Sequence, residues 1–562
     1  MHICTETKLK AMMHGLITAV ACLILQSTAS VFLSGGLCPE DMDEETTERL
    51  NYLANHPIGI NYASKSRLKE CGLFSAFQIA SLLEYRERSG DILSFGELSR
   101  LDGWNAEFVE ALREYIDLGG AGAVGESSAR KSFHGDATGR YGSGSYLTKV
   151  SMEWNDRWTV FVSSKKSLPL NLSASYYGRG PLSKVVVGNY NARFAQGLAM
   201  WSGFRMSGLP TVEALSRRES GISASHSTSS ACNGVAAEFG WGKWTLSAGT
   251  NLQQAKNVLR LSAFSNLNYL WRKGQCGITA VAGAGMQTVS ANWRVRLGKA
   301  DFYGEAAWEF AGRAPAAMVG IRMDPGWKIA WGLTARYYSP KFEGRWSGAP
   351  GSFSKNSDEA GLAAVLRYHW INVSADSAYR PEKRFWQTKA IVNLSPEIQA
   401  GGVVLSPVLK YSLRWKAGEL SESAAAAALK HELRAELKAG IGPWAAGLRG
   451  DLTHCLDFAW LALAEAGYKK ENCACFLHAE YFDVRNWDDR IYVYQRDVPG
   501  SFNVPARNGR GLSFSLSGGY TLKGGKSRLI HKLNARAGTV LYHKDTQKPS
   551  TFEWRVQYAL KW

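Results

Sequence analysis

The sequence lacks long hydrophobic runs. Beyond the amino-terminal 30 of its 562 residues, no stretch of about 20 apolar residues occurs, the length that a membrane-crossing helix requires. The mean hydropathy of -0.21 is likewise too low for a helical membrane protein. The sequence also has no glycine-rich phosphate loop, zinc-metalloprotease helix motif or calcium loop. These absences exclude a helical membrane protein, and no cofactor is expected.

Cysteine is too sparse and too irregularly spaced for a disulfide scaffold. The chain has 9 cysteines, without the regular spacing that is typical of a disulfide framework. Cys473, Cys475 and His478 lie close together in the sequence. On a strand, however, the two cysteines share one face and the histidine lies on the other. No three-ligand metal site is therefore expected there.

The amino terminus has the pattern of a secretory signal. Lys8 and Lys10 precede a short apolar stretch that ends in small residues, where a signal peptidase could cut. We predict a signal peptide over residues 1–30. Residues 31–49 are acidic and are predicted to form a flexible segment.

The carboxyl-terminal strand shows what replaces the missing hydrophobic runs. Apolar side chains occupy every second position: Phe552, Trp554, Val556, Tyr558, Leu560 and Trp562. At about 3.3 Å per residue, twelve residues span roughly 40 Å, which suffices when tilted to cross an outer-membrane apolar band about 25 Å tall. A soluble sheet rarely exposes such an edge. The pattern predicts a membrane-spanning strand, with Tyr558, Leu560 and Trp562 as an assembly signal for the barrel-assembly machinery.

Similar alternation continues through residues 146–562. Trp293, Val295 and Leu297, for example, alternate with polar neighbours. Counting such segments predicts an all-β, antiparallel transmembrane barrel of about 20 strands, in contact with the lipid of a Gram-negative outer membrane. The final strand would end in the periplasm, and the longer connections would lie outside.

The polar faces of these predicted strands are rich in basic residues. The candidates for the lumen or its rims are Arg294, Arg296, Lys328, Arg336, Lys410, Arg414, Lys416, Arg555 and Lys561. Charge that faces lipid is costly at the membrane midplane, so these residues are expected inside the barrel or at its ends. A basic lumen favours anions. The alternative, equally open, is that some of them contact anionic lipid headgroups.

Residues 50–118 follow a different period. Apolar residues such as Leu68, Leu82, Leu98 and Leu112 recur at helical spacing, and Ser64 and Ser94 are predicted helix caps. We predict a small all-α domain here, which would lie in the periplasm. A linker rich in Gly, Ser and Ala is predicted over residues 119–145.

Several pieces of this domain resemble the helix-hairpin-helix domain of competence-type DNA receptors. The matching pieces are Ile60-Asn61-Tyr62-Ala63-Ser64, Leu68, Tyr85-Arg86, Gly90, Phe95, Leu98 and Tyr115-Ile116. Residues 185–204 and 490–516 resemble the barrel of helix-hairpin-helix-bearing outer-membrane proteins of Gram-negative bacteria. The resemblance implies this two-part architecture, and no reaction follows from it.

The predicted hairpins are degenerate. In DNA-binding hairpins, two glycines let backbone N–H groups approach a phosphate. The first hairpin instead reads Leu73, Phe74 and Ser75, and the second reads Gly103, Trp104 and Asn105. A left-handed Asn105 could replace one glycine. The DNA-binding alternative therefore has a weak basis in the sequence.

Charge divides the chain into two parts. Residues 1–118 carry 10 basic and 17 acidic side chains, which leaves 56 and 32 for the rest. Tethering an acidic domain to a basic barrel favours intramolecular docking. We expect the domain to dock at the periplasmic mouth of the barrel, with acidic residues facing barrel lysines and arginines. The acidic residues concerned are Glu84, Glu87, Glu107, Glu110 and Glu114.

The sequence thus favours a non-enzymatic, porin-like protein that binds or transports an anionic solute. One alternative is a DNA-binding or DNA-uptake protein of the cell envelope. Another is an outer-membrane enzyme, because residues 223–233 contain Ser, His and Asn. No defined element places a base beside a nucleophile there, as nucleophilic catalysis requires, so no catalytic or metal-binding residue is predicted.

Overall fold

The computed structural model shows a closed β-barrel. It describes residues 29–119, 133–155, 157–166, 169–203, 208–225, 231–255, 258–283, 285–323, 329–400, 402–418, 427–524 and 529–562. Each strand pairs antiparallel with both neighbours, and the last strand pairs with the first. Closure leaves the sheet without an unpaired edge. The predicted signal peptide lies almost wholly outside the described residues.

The barrel has 24 strands, more than the 20 or so predicted. In chain order, β1–β24 are Phe133–Gly142, Ser145–Trp154, Trp158–Lys165, Asn171–Tyr177, Leu182–Arg193, Cys232–Trp241, Trp244–Ala255, Val258–Trp271, Gly274–Gly283, Met286–Leu297, Ala300–Glu309, Ala314–Met323, Ile329–Tyr338, Glu359–Tyr368, Ile371–Arg380, Phe385–Leu394, Val403–Gly418, Ala427–Ile441, Trp444–His454, Phe458–Lys470, Cys473–Val484, Gly509–Lys523, Ile530–Tyr542 and Thr551–Lys561. Short strands Gly221–Ala224 and Ile398–Ala400 extend β6 and β16 along the same neighbours. Strands rich in small residues, such as β9, show little alternation in hydropathy, and this explains the low predicted number.

The first strand corrects the predicted linker. Strand β1 occupies residues 133–142, which were assigned to the linker, so the barrel begins at Phe133 and not at residue 146. Glycine serves here to admit close backbone packing: a Cβ on Gly142 would lie 2.0 Å from the carbonyl oxygen of Trp554. In residues 133–142 the glycine-rich composition therefore marks the barrel seam, and residues 120–132 of the predicted linker lie outside the described residues.

The two faces of the barrel wall differ in polarity. On β10, Trp293 and Leu297 are exposed to the outside, at 41% and 60%, whereas Asn292 and Arg294, on either side of Trp293, are each 6% exposed. The same alternation runs along β22, where Phe514 and Leu516 are exposed and Ser515 is buried. An apolar outside with a polar inside is the pattern of a transmembrane barrel.

Connections of different length lie at the two ends of the barrel. The end that holds the carboxyl terminus has mostly short turns, such as residues 242–243 and 442–443. The opposite end carries three long connections, residues 194–220, 339–358 and 485–508. The predicted placement of the long connections, opposite the carboxyl terminus, is confirmed.

The amino-terminal segment is helical. After a helix over residues 29–34 and a 3-10 turn at Pro39–Asp41, α1–α5 are Glu44–Asn55, Lys65–Glu70, Ala76–Ser89, Phe95–Leu98 and Ala106–Leu112. The caps at Ser64 and Ser94 are confirmed. Helix α1 begins inside the stretch predicted to be flexible, because Asp43 accepts a hydrogen bond from the Thr46 backbone N–H and caps it. No helix in the described part of the chain is both long and apolar enough to cross a membrane.

This segment has its own hydrophobic core. Its centre includes Leu68, Phe74, Leu82, Leu98 and Leu112, each 1% exposed or less. Two-residue strands at Ile58–Gly59 and Ile116–Asp117 pair in parallel and bring the chain after α1 beside the end of the segment. The helical periodicity of the sequence therefore marked the side chains that form this core.

Deleting Trp562, or replacing it with Lys, is expected to reduce the amount of barrel that inserts. The Trp562 N–H donates to the Gly135 carbonyl at 3.0 Å, the Gly135 N–H donates back at 3.2 Å, and the Trp562 ring lies 6.4 Å from that of Phe133, so backbone and side chain both close the seam between β24 and β1. Heat-modifiable mobility of the membrane fraction measures the effect. Trp444→Lys, at an exposed tryptophan near the same end, should insert normally. Normal insertion of both Trp562 variants would contradict the expectation.

Candidate functional site

The helical segment lies inside the barrel lumen. Its side chains contact inward-facing residues on strands from all around the wall. Ion pairs join Glu48 to Lys149 on β2, Glu70 to Lys184 on β5, Glu107 to Arg367 on β14 and Asp41 to Lys410 on β17, and Lys532 on β23 donates to Asn55. Strands so far apart on the circumference can be contacted together only from within. We call residues 29–119 the plug.

The most buried of these contacts is centred on Glu40. Its carboxylate lies 2.5 Å from Arg449 and 3.0 Å from Arg434, and it also accepts from the Tyr494 backbone N–H at 3.0 Å. Burial alone would raise the pKa of Glu40, but the two guanidinium groups outweigh it and hold the pKa well below its ordinary value. Asp451 bonds both arginines from their other side. Glu40 is therefore ionised and fixes the start of the plug to β18 and β19.

A series of further ion pairs continues around the plug. They include Asp41–Lys410 at 3.6 Å, Glu44–Lys165 at 3.1 Å, Glu48–Lys149 at 2.6 Å, Glu70–Lys184 at 2.7 Å, Arg67–Glu153 at 2.5 Å, Lys69–Glu219 at 3.0 Å and the Glu45–Arg193 pair. Most plug members are acids, and most wall members are bases. The opposite net charges of the two parts of the chain therefore correspond to ion pairs between the plug and the wall.

The acids that make these contacts differ from those expected. Of the five named from the sequence, Glu84 reaches Arg272 at 3.4 Å and Glu107 reaches Arg367 at 3.5 Å. Glu110 pairs with Arg113 of the plug itself. The principal contacts come instead from the acidic stretch before and within α1. The plug lies within the lumen, deeper than a docking position at the mouth or a place in the periplasm, so this early stretch meets the wall.

The predicted hairpin residues are buried inside the plug or used as helix caps. Leu73 and Phe74 are 1% exposed and Trp104 is 3% exposed. Ser75 caps α3, and Asn105 caps α5 with an extended backbone at φ -116° and not the left-handed form that a phosphate cradle would use. Gly103 does have a left-handed φ of +83°, but a Cβ there would lie 2.7 Å from Phe77. These residues therefore pack helices α2 and α3 against α4 and α5 and cap two of them.

The basic candidates on the strands face inward where the structure describes them. Arg336 is fully buried and pairs with Glu359 at 2.5 Å and Asp376 at 2.7 Å. Arg294 donates to the Ser216 hydroxyl and to the Arg217 carbonyl. Both are therefore held by the wall and the long connections.

Other basic candidates contact the plug or lie near the rim. Arg296 stacks over the ring of Phe77 with its Cζ 4.3 Å from the centroid, Lys410 pairs with Asp41, and Lys561 donates to the Asn55 carbonyl. Arg555 pairs with Asp497 of a long connection. Arg414 and Lys416 are half-buried on the inward face of β17, and Lys328 lies outside the described residues. Of the assembly-signal residues, Tyr558 faces outward and Leu560 is half-buried.

The long connections fold into the lumen above the plug, which the sequence did not indicate. Glu305 on β11 is buried and accepts from the backbone N–H groups of Gln196 at 2.8 Å and Leu198 at 3.1 Å. Two of the connections pair where the Trp201 N–H donates to the Trp346 carbonyl at 2.7 Å. In the sequence, the one sign of this contact is that Glu305 is an acidic residue at an inward-facing position of its strand. The lumen is thus filled from both ends.

Among the described residues, two cavities large enough for a small solute lie between the plug and its surroundings. The larger, about 880 Å³, lies between α1, α2 and strands β1–β5, and its lining includes Tyr52, His56, His134, Arg157 and Arg179. The smaller, about 200 Å³, lies between α1, residues 208–218 and strands β15–β16. Polar and charged side chains form part of the lining of both, and in the smaller cavity they form most of it, so the smaller one suits a hydrophilic solute.

Among the described residues, no arrangement of side chains supports the enzymatic alternative. Ser223 is buried at the end of the short strand that precedes β6, and Asn233 lies on β6. His226, the only histidine of that stretch, lies outside the described residues. No described element brings a base to Ser223, and the described residues contain no group of three or more His, Cys, Asp or Glu arranged to hold a metal ion.

The class of protein defined by these features is a 24-stranded antiparallel barrel with a helical plug in its lumen. No family model and no curated protein sequence matches the chain. Among solved structures, the P pilus usher translocation pore PapC aligns at 9% identity with a TM-score of 0.38, over 76% of this chain and 99% of PapC. Pseudomonas aeruginosa OccK2 (OpdF) in complex with glucuronate aligns at 9% identity and 0.32, over 76% and 98%. P. aeruginosa OpdK with vanillate aligns at 11% and 0.32, over 57% and 97%. At such low scores, the architecture of this chain is established by its own strand pairing.

Proposed function

We propose that the protein is an outer-membrane channel that its own plug holds closed, and that it admits a small anionic solute when the plug moves. The apolar outer face of the wall supports a place in the outer membrane. The carboxyl terminus and the short turns would then lie on the periplasmic side, and the long connections outside. The helical plug fills the lumen of this channel.

The observation that carries the proposal is the sign of the charges across the plug–wall contact. The wall contributes Lys149, Lys184, Lys410, Arg434 and Arg449, and the plug contributes the acids that neutralise them. Once the plug withdraws, these cations lose the acids of the plug and line the pore, while Arg434 and Arg449 keep Asp451 of the wall. A pore lined with Lys and Arg favours anions. Closure and anion selectivity would thus depend on the same side chains.

Ion selectivity of the open channel tests this proposal. In a planar bilayer under a KCl gradient, open events are expected to reverse at a potential nearer that of chloride than that of potassium. Glucuronate and glucose provide a matched pair of solutes, because they share a sugar ring and differ in the carboxylate. Liposomes that carry the channel should take up glucuronate faster than glucose. Cation selectivity, or equal uptake of the two, would contradict the proposal.

The other two functions have no supporting observation. The hairpin residues that would contact DNA pack the interior of the plug, which itself lies inside the barrel. The serine of the enzymatic alternative has no described base. Both stay predictions of the sequence, and the closed, charge-lined channel is the function that the geometry supports best.

A further inference from the structure

A group of arginines lines the smaller cavity. Arg49 comes from α1 of the plug, Arg193 from β5, and Arg217 and Arg218 from the long connection after β5. Trp201 orients two of them, because the Cζ atoms of Arg193 and Arg217 lie 5.6 and 5.5 Å from its ring centroid. Four guanidinium groups from three parts of the chain therefore meet at one space of about 200 Å³.

Four of the five carboxylates that line this cavity pair with a base other than Arg49 or Arg218. Glu45 pairs with Arg193, Asp41 lies 3.6 Å from Lys410, Asp376 lies 2.7 Å from Arg336, and Glu213 lies 3.8 Å from Arg367; Asp43 caps α1. Each acid except Asp43 thus has a basic partner other than Arg49 or Arg218. Neither Arg49 nor Arg218 is within ion-pair distance of a carboxylate among the described residues.

Arg49 and Arg218 have no ion-pair partner among the described residues, and the acids that attract them from a greater distance are Glu45 and Asp43 near Arg49 and Glu213 near Arg218. Within the described chain, Arg49 forms no hydrogen bond, and its buried Nε has no partner. Arg218 donates to the Leu33 and Leu73 carbonyls at 3.3 and 3.5 Å and pairs with no acid. Burial, and then repulsion from Arg193, lowers the pKa of Arg49. Burial, and then repulsion from Arg322, lowers the pKa of Arg218 to about 10. Buried charge without a partner is costly, so this arrangement suits an added anion.

We propose that this cavity binds the oxyanion group of a small solute, a carboxylate or a phosphate, between Arg49 and Arg218. The inference rests on the proposed anion channel and gives it a binding site. A cavity of about 150 Å³ holds a benzene molecule, so this one has room for an oxyanion and a short carbon skeleton. Guanidinium groups suit both ligands because their N–H donors match the oxygens of carboxylate and phosphate.

The site links ligand binding to closure. Arg49 belongs to the plug and Arg218 to the connection above it, so an anion between them bridges the two. A ligand that binds the closed form alone stabilises that form. The solute would thus be held at the closed contact, and it would leave when the plug moves.

Calorimetric titration of the purified full-length protein with inorganic phosphate, and separately with benzoate, tests the site. Saturable binding of at least one probe is expected. Arg49→Gln and Arg218→Gln should each weaken it by about ten- to a hundred-fold, the effect of losing one hydrogen-bonded charge. Arg485→Gln is the matched control, because Arg485 lies in a long connection with its side chain 75% exposed, and it should bind as the wild type does. Binding of phosphate but not benzoate would identify a phosphate ligand, and the reverse a carboxylate.

The thermal unfolding midpoint distinguishes a loss of binding from a loss of folding. Without added anion, Arg49→Gln should not lower the thermal midpoint of the plug, because it removes a charge that lacks a partner. Added phosphate should raise the midpoint of the wild type and not that of the variant. Unchanged affinity for both probes in both variants would overturn the site.

The site and the proposed function can fail separately. If the channel proved cation-selective while probe binding still depended on Arg49 and Arg218, the proposed function would fail and the site would stand. If conductance were anion-selective while probe binding did not depend on these arginines, the site would fail and the proposed function would stand.

Discussion

Removal of residues 39–118 is expected to convert a nearly closed barrel into a conducting pore that is narrowed by the long connections at the opposite end. The plug fills the lumen along its contacts with β2, β5, β14, β17 and β23, and barrels of 16–18 strands already enclose an aqueous channel when nothing blocks them. Single-channel conductance in planar bilayers measures the effect. The full-length protein should conduct little, and the truncated barrel should conduct like a porin.

The salt dependence of that difference supplies the control. Salt at about 1 M shortens the screening length to roughly 3 Å, so exposed plug–wall pairs weaken and the full-length protein should open more often. The truncated barrel has no plug to release, so its conductance should follow bulk conductivity alone. The truncated protein must first show heat-modifiable mobility, which establishes that it is a folded barrel. Equal conductance of both proteins at every salt concentration would contradict closure by the plug.

Replacement of Glu40 by Gln is expected to open the full-length channel about a hundred-fold more often. Removing one partner of a buried ion pair costs about 3–5 kcal/mol, and every 1.4 kcal/mol changes an equilibrium about tenfold. The lower end of the range applies here, because Asp451 still contacts both Arg434 and Arg449 in the variant. The fraction of time spent open in planar bilayers gives the ratio directly.

Glu44→Gln is the matched control for this prediction. Glu44 lies four residues further along the plug and pairs with Lys165, but the two side chains are 53% and 46% exposed, against 7% and 5% for Glu40 and Arg449. An exposed pair contributes about 0–1 kcal/mol, so this variant should change opening by less than about fivefold. Equal effects of the two substitutions would show that burial of the pair does not control the plug.

The local pattern of the sequence determined the two architectures and their order. Alternation along residues such as Trp293, Val295 and Leu297 follows from the two-residue period of a strand, and that period is visible without any knowledge of neighbours. The apolar spacing of Leu68, Leu82, Leu98 and Leu112 likewise predicted the helices and most of their core. These features depend on residues close together in the chain, so sequence reasoning could find them.

Two boundaries were wrong for physical reasons that the sequence does not display. Strand β1 is rich in glycine because its backbone packs closely at the seam with β24, and that neighbour is about 400 residues away along the chain. Helix α1 is acidic because it faces a basic wall, and acidity alone indicated flexibility. In both cases the residue types suit a contact with a segment that is distant in the sequence.

The location of the plug was decided by tertiary structure alone. Net charge predicted attraction between the two parts of the chain, since charge sums need no coordinates. Which acid meets which base depends on how deep the plug lies, and only the folded barrel sets that depth. Glu40 therefore became the central contact, although Glu84, Glu87 and Glu114 were equally acidic candidates.

The sequence by itself determined a barrel wall with an apolar outside, a helical domain before it, and opposite charges on the two. The tertiary structure decided that the domain lies within the lumen, that three long connections fold in above it, and that Arg49 and Arg218 share one cavity with no ion-pair partner among the described residues. The physical reason is the range of the interactions. Hydropathy periods arise from adjacent residues, whereas cavities and buried ion pairs arise where distant segments meet, as Glu40 and Arg449 do.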